Sequence, residues 1–356
     1  MKKVICFTDS LGSGGAQRQL VGLACMLKAE GYDVSVLLYY DKPFYKPLLD
    51  DAGVESVVVP ARNNYLLRIW QVYKYLKRNK NATIIAYQET PSLIACLLRP
   101  FIRCPKLIVS ERNTTQLISK MDRLRFWLYR FADHIVPNSY SQTNFICKHY
   151  PKLEKKVTTI TNFIDTDKFI PVDNNQSGDK IRVLTVARIT PQKNILRYIE
   201  AISELQLDMT KFEFHWFGDT DNNEYFEECK RCIEHHKISN IFFFHPATIE
   251  IVKQYQTHDL FCLPSLYEGF PNVLCEAMSC GLPVLCGDIC DNGKISTPDN
   301  AILFSPTDVH HISQALSCFA NKTRQERDDM AKMSRAIAVR DFSIKKFIDG
   351  YIELIK

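Results

Sequence analysis

Short apolar runs and helical stripes alternate along the chain, and this alternation is the first guide to its fold. Val4 to Thr8 reads as a strand. The helix that follows carries Leu20, Leu23, Ala24 and Leu27 on one face and closes at Gly31, and Val34 to Tyr39 is the next strand. Further strands are expected at Ser56 to Val59, Thr83 to Tyr87, Lys106 to Val109 and His134 to Pro137, separated by helical stretches. A polar loop, Pro171 to Asp179, breaks the pattern. A second series then runs through Ile181 to Val186, Phe212 to Phe217, Ile241 to Phe244, an apolar run ending at Pro264, and Leu282 to Cys286. Such alternation predicts an α/β chain with doubly wound parallel sheets.

The length of 356 residues suits two domains of ordinary size, each with its own core. No apolar run approaches the roughly 20 residues of a membrane-spanning helix, and the start, MKKVICFTDS, turns polar too early for a signal peptide. The expected compartment is the cytoplasm. Thirteen cysteines, an odd number mostly inside apolar runs, fit buried free thiols in a reducing environment better than a disulfide framework. Charge is uneven: residues 1–165 hold 24 Lys+Arg against 13 Asp+Glu, and the remainder holds 21 against 27. A basic amino-terminal half is compatible with anionic lipid, nucleic acid or a polyanionic acceptor. Three of its stretches are both basic and aromatic: Tyr65 to Lys80, Leu97 to Lys106 and Met121 to Phe131. In the last, Leu124, Trp127, Leu128 and Phe131 share one helical face, with Arg123, Arg125 and Arg130 off it, so the helix can either lie on a lipid surface or pack on its own sheet.

The densest chemistry lies in residues 261–285, FCLPSLYEGFPNVLCEAMSCGLPVL. An apolar run ends at Pro264, a turn-rich loop follows, and a helix begins at Pro271 with Val273, Leu274, Ala277 and Met278 at helical spacing. Pro271 suits the first turn because its missing N–H would be unpaired there, and Cys280-Gly281 with Pro283 ends the helix. The loop thus sits at the carboxyl end of a strand, against a helix amino end carrying about half a positive charge. Glu268 and Glu276 bracket it, eight positions apart. Carboxylates at both ends can grip hydroxyls of one ligand while the N–H groups of Gly269, Phe270 and Asn272 face phosphates between them, which points to a nucleotide sugar. Arg188 and Lys193, five apart after another strand end, can neutralise a diphosphate. Near the start, Gly12, Gly14 and Gly15 sit where the backbone turns tightly, but their spacing is not the dinucleotide fingerprint. Cys229, Cys232 and His236, with His235 beside them, invite a zinc reading. They fall on the core stripe of one helix, which structural zinc sites rarely use for all ligands, so no metal is expected.

The E-x7-E element inside PSxxEGFPNVLCEAMxxGLPV resembles the signature of the retaining glycosyltransferases of family 4, which have the GT-B fold. GGAQRQLVGLACMLKAEGYDVSVLL resembles that family's first β-α-β unit, Arg188-x4-Lys193 its diphosphate clamp, and ITNFIDTDKF (residues 160–169) its inter-domain element. The resemblance implies two Rossmann-like domains facing across a cleft: an acceptor-side domain of residues 1–165, joined by a closing helix in 342–356, and a donor-binding domain of residues 166–341. It implies that Glu268 contacts the transferred sugar, that Glu276 holds the ribose, and that Arg188, Lys193 and Glu268 are catalytic. Gly14, Gly15, Gly269, Phe270, Pro271 and Asn272 would complete the donor site. On the acceptor side, Ser110-Glu111-Arg112-Asn113 stands where many members have a histidine, making Glu111 and Arg112 the candidates. CGDICDNGK departs from the glycine-rich loop of relatives. Two D-x-D pairs, Asp165/Asp167 and Asp219/Asp221, imitate a metal motif of another glycosyltransferase fold but lie in a linker and a turn, so neither a metal nor a cofactor is expected. The implied activity is retaining transfer of a hexosyl or N-acetylhexosaminyl group from a UDP-linked donor to a glycan or lipid-diphosphate-linked acceptor in capsule or lipopolysaccharide synthesis, at an anionic membrane surface and without nucleic acid as a partner. A nucleotide-sugar epimerase of the same fold, or a non-catalytic partner subunit, is the alternative.

Overall fold

The computed structural model describes residues 2–59, 64–115, 118–172 and 180–356, the side chains of residues 206–208 excepted. The polar loop expected at 171–179 lies outside the described residues from 173 onward. The chain divides into two compact units, Met1–Phe163 with Lys345–Lys356, and Ile164–Ile344.

The first unit alternates strands and helices: β1 (Lys3–Phe7), α1 (Gly15–Ala29), β2 (Asp33–Leu38), α2 (Lys46–Asp51), β3 (Glu55–Val58), α3 (Tyr65–Arg78), β4 (Thr83–Tyr87), α4 (Glu89–Leu98), β5 (Leu107–Glu111), α5 (Lys120–Leu128), β6 (His134–Pro137) and α6 (Tyr140–His149). Its six strands form a parallel sheet in the order β3-β2-β1-β4-β5-β6, with Val4 opposite Val34 on one side and Thr83 on the other. Both faces are covered, which is why β4 and β5 are buried along their whole length rather than alternating. One face packs Val72, Leu76, Ile94, Leu98, Phe126, Leu128 and Ile146 of α3 to α6. The other packs Leu20 and Leu27 of α1, Leu49 of α2, and Phe347 and Tyr351 of the closing helix. Side chains satisfy the first turns of three of these helices: Asn64 for α3, Ser139 for α6, and a Ser119/Asp122 capping box for α5. The unit's last segment is pinned to α1, since Gln19 both donates to the Phe163 carbonyl and accepts from the Phe163 N–H, each at 3.0 Å.

The second unit repeats the plan with β7 (Ile181–Val186), α7 (Ile195–Ser203), β8 (Phe212–Phe217), α8 (Asn223–His235), β9 (Phe242–His245), α9 (Ile251–Gln256), β10 (Leu260–Leu263), α10 (Asn272–Ser279), β11 (Val284–Gly287), α11 (Asn292–Ile295), β12 (Ala301–Phe304), α12 (Val309–Ala320) and α13 (Arg324–Phe342). The closing helix, α14 (Ile344–Ile355), belongs from Lys345 on to the first unit. The sheet order is β12-β11-β10-β7-β8-β9, all parallel. Arg335 of α13 donates to the carbonyls of Thr166, Phe169 and Ser279, tying the entering segment to the end of α10. Among the described residues, no helix is long and apolar enough to cross a membrane.

Candidate active site

In an open parallel sheet, ligands bind at the carboxyl ends of strands where the strand order reverses, because neighbouring loops part there. In the second unit that point lies between β7 and β10. Beyond β7 the chain is held close to the end of β8: a Cβ on Gly218 would stand 2.0 Å from the Ala187 carbonyl oxygen, so only glycine fits. Arg188 projects from this loop, exposed and without an ion pair among the described residues. A 3-10 turn at Pro191–Lys193 follows, ended by Asn194 in the left-handed conformation (φ 62°), which asparagine tolerates better than most residues. The Asn194 amide donates to the carbonyls of Pro264 (3.1 Å) and Pro306 (2.6 Å). The Gln192 carbonyl accepts from the Leu266 N–H at 2.9 Å, and its side-chain amide donates to the Tyr267 carbonyl at 2.8 Å. Laced in this way, the two loops bring Lys193 Nζ to 2.5 Å from Glu268 Oε1, in a pair whose side chains are only 14% and 10% exposed.

Next comes α10, with Pro271 at its N-cap, one position before the helical turn expected for it. Among the described residues, the N–H groups of Gly269, Phe270 and Val273 have no hydrogen-bond partner and can face an anion. The expected contribution of Asn272 needs correcting: its N–H is taken by the Phe270 carbonyl at 3.0 Å. Phe270 offers backbone only, since its ring is buried against Phe342, 5.7 Å between centroids. Glu276, inside the helix and 5% exposed, accepts from the Tyr255 hydroxyl at 3.1 Å. The loop after β11 turns at Cys290 (φ 48°), whose thiol pKa is raised by burial. Beside it, buried Asn292 donates to the Gly287 carbonyl at 2.9 Å.

Of the D-x-D residues, Asp165 caps its own turn and Asp219 ties two loops together. Asp165 accepts from the N–H groups of Asp167 and Lys168, and Asp219 accepts from that of Ala247. Among the described residues, no group of three or more His, Cys, Asp or Glu is placed to hold a metal ion. Cys229 and Ile233 are buried in the core stripe of α8.

In the first unit the strand order reverses between β1 and β4. Gly14, extended, caps α1 and accepts from the Arg18 N–H at 3.0 Å, and Gly14 and Gly15 are both exposed. The same rim holds residues that motif reading missed. Asp9 Oδ1 accepts from Gln17 Nε2 (3.1 Å) and Ser10 Oγ (3.2 Å), and Thr8 Oγ1 donates to Gln88 Oε1 at 3.0 Å. Gln88 has φ 72° and ψ 171°, a region almost reserved for glycine, so its backbone is strained at this strand end. Only the strand order, invisible as a motif, singles these positions out.

Glu111 and Arg112 do not present to an acceptor. Glu111 is 1% exposed and receives the Tyr129 hydroxyl, the Gln142 amide at 3.3 Å and the Arg125 guanidinium at 3.5 Å. Burial pushes its carboxyl pKa up, chiefly opposed by Arg125. Arg112, 7% exposed, donates to Asn162 Oδ1 at 2.8 Å, to Ser110 and to Tyr351, and lies over the Tyr87 ring at 4.1 Å. Both are internal braces, because a buried charge is tolerable only when paired.

The family model described as Glycosyltransferase Family 4 matches residues 13–168, and the one described as Glycosyl transferases group 1 matches residues 166–336. The N-acetylgalactosamine-N,N'-diacetylbacillosaminyl-diphospho-undecaprenol 4-alpha-N-acetylgalactosaminyltransferase of Campylobacter jejuni is 26% identical over 306 residues, 81% of each chain. A second Campylobacter jejuni protein, a GalNAc-alpha-(1->4)-GalNAc-alpha-(1->3)-diNAcBac-PP-undecaprenol alpha-1,4-N-acetyl-D-galactosaminyltransferase, is 24% identical over 370 residues, 100% of this chain and 98% of its own. The crystal structure of Anabaena Alr3699/HepE in complex with UDP superposes with a TM-score of 0.87 at 20% identity, covering 99% of both chains.

Proposed function

Because the chain belongs to the family-4 glycosyltransferases, glycosyl transferases group 1, with the GT-B fold, we propose that it is a retaining enzyme moving a sugar from UDP to a hydroxyl of a lipid-diphosphate-linked glycan. The observation that carries this reading is the meeting of Lys193 and Glu268 at the β7/β10 switch point, beside the open amino end of α10. Arg188, Lys193 and the N–H groups of Gly269, Phe270 and Val273 stabilise the charge that gathers on the diphosphate as its bond to the anomeric carbon breaks. Lys193 has three donors, so it can orient Glu268 and still reach a phosphate. Glu268 faces the transferred sugar and Glu276 the ribose. The incoming acceptor oxygen bonds the anomeric carbon from the face the diphosphate leaves, and its proton passes to a leaving-phosphate oxygen. No metal takes part, because the cations and the helix end supply the charge.

The acceptor chemistry is supported by the undecaprenol-linked substrates in the names of the Campylobacter jejuni relatives, and a peripheral site on the inner face of the cell membrane follows from it. Helices α3, α4 and α5 share one face of the first sheet. Their outer sides expose Leu66 (79%), Trp70, Met121 and Trp127, the 3-10 turn after α4 exposes Phe101, and Lys74 and Arg130 lie over the two tryptophan rings at 3.9 and 3.8 Å. Aromatic and basic groups exposed together suit an anionic interface. Arg125 is not part of this surface: it is 3% exposed and paired with Glu89, Glu111 and Asp122. Thermal shifts with a panel of nucleoside diphosphates and their sugars test the donor assignment. UDP and UDP-sugars should raise Tm, whereas a response confined to ADP or GDP would overturn the UDP assignment.

A further inference from the structure

We infer that Tyr255 is a positioning residue that makes the donor site select ribose over deoxyribose nucleotides, by fixing the orientation of the Glu276 carboxylate. The inference rests on reading Glu276 as the ribose ligand and goes beyond it by naming what makes that ligand selective. Tyr255 comes from α9, a different element from the helix that carries Glu276, and its side chain is fully buried. Its ring lies against Phe169 and Phe261, with centroids 5.9 Å away in each case, so the position of the hydroxyl oxygen is set by the core. That hydroxyl donates to Glu276 Oε2 at 3.1 Å.

The physical consequence follows from the shape of a glutamate. Its side chain has three rotatable bonds, and the last is a broad torsion that sets the plane of the carboxylate. A donor held on one oxygen biases that plane and therefore the direction in which the group accepts. The base of the arrangement is firm as well, because Arg335 holds the Ser279 carbonyl at the end of α10 at 2.9 Å. A ribose offers two neighbouring hydroxyls as donors, and only a carboxylate held in one plane meets both well. A site built to bond a hydroxyl rejects the analogue that lacks it far more strongly than a loosely oriented one does.

The test compares UDP with 2'-deoxyuridine 5'-diphosphate by calorimetry on the wild-type protein and on Tyr255→Phe, which keeps the ring and deletes the hydroxyl. The wild type should prefer UDP by at least about tenfold, the scale of one hydrogen bond to a charged group. In Tyr255→Phe the preference should shrink to about two- to threefold, through weaker UDP binding, with the deoxy ligand bound within about twofold of wild type. A purely structural role would weaken both ligands in parallel, and that result, or an unchanged preference, overturns the inference. Should Tyr255→Phe fail to fold by circular dichroism, Tyr255→Met, which fills the site with apolar bulk and carries no donor, takes its place. It should lose the preference too, and a retained tenfold preference overturns the inference. A wild type that binds both ligands alike overturns the ribose assignment of Glu276 itself.

Discussion

Lys193 and Glu268 have separate expected tasks, one on the diphosphate and one on the sugar, yet the structure joins them in an ion pair of 2.5 Å. Replacing Lys193 by alanine therefore does two things. It removes a cation from the departing diphosphate, a loss that typically costs ~100-fold or more in turnover. It also strands Glu268, whose side chain is only 10% exposed, without its ammonium. At an effective dielectric constant near 20, such a pair attracts by roughly 4 kcal/mol or more before desolvation is subtracted. Net coupling of about 1–3 kcal/mol is then expected, as for residues sharing one network. Lys193→Ala and Glu268→Gln should each lower the initial rate with the full donor. Their combination should fall short of the product of the two losses by about 5- to 150-fold. Initial rates on the three variants, with thermal melts to confirm folding, measure this coupling. Losses that multiply to within about twofold would show that the pair is not functionally joined and would refute the reasoning.

Activity should survive EDTA, and Asp165→Asn and Asp219→Asn should remain active, because these carboxylates hold backbone N–H groups of a turn and of a neighbouring loop; loss on chelation, restored by Mn²⁺ or Mg²⁺, would reverse this view. Sedimentation with vesicles containing anionic lipid should weaken as salt rises, since screening shortens to ~3 Å near molar salt. It should also drop for Trp127→Ala and for Arg123→Gln/Arg130→Gln, and equal sedimentation with neutral vesicles would count against the surface proposed. Arg125→Gln, in contrast, should destabilise the fold, because it leaves Glu111 buried without its cation. Acid should destabilise the second unit. Burial, with Arg182 next among the lowering causes, holds His215 near a pKa of about 4 and His258 near about 3. Both are therefore neutral in the fold, and the stability they contribute is complete above the unfolded value of 6.5 and lost as pH falls toward the folded values. His258 alone should account for about 3 kcal/mol between pH 6.5 and 4. Urea melts of wild type and His258→Asn should converge as pH falls across this window, and parallel curves would contradict the assignment.

Most of the architecture was legible because parallel sheets covered on both faces write themselves as apolar runs. The six strands of the first unit and five of the second fall at the expected runs, shifted by a residue or two. β12 was missed, since Ala301–Phe304 is only four residues long. Three helices, α12 to α14, close the chain, and the last, Ile344–Ile355, lies where the closing helix was expected. Within the site, the resemblance to family motifs made Arg188, Lys193, Glu268 and Glu276 the candidates, but no motif announced the Lys193–Glu268 bond, which depends on Asn194 and Gln192 lacing two loops far apart in sequence. Glu111 and Arg125 misled for a single reason. A charge in a sequence gives no sign of whether it faces water or a partner, and here each is the other's partner. Asp9, Gln88 and Tyr255 gave no local signal, because their significance comes from strand order and from packing between elements.

On the proposed function, one nucleotide sugar lies along the loop from Glu268 to Glu276, sugar at the first and ribose at the second. Calorimetry of UDP binding to Glu276→Gln and Glu268→Gln, beside initial rates with the full donor, addresses it directly. Glu276→Gln should weaken UDP by about tenfold, the scale of a hydrogen bond to a charged group. Glu268→Gln should leave UDP affinity within about threefold of wild type while lowering kcat, because free UDP has no sugar to touch. Equal loss of UDP affinity in both variants, or full activity in both, would contradict the account.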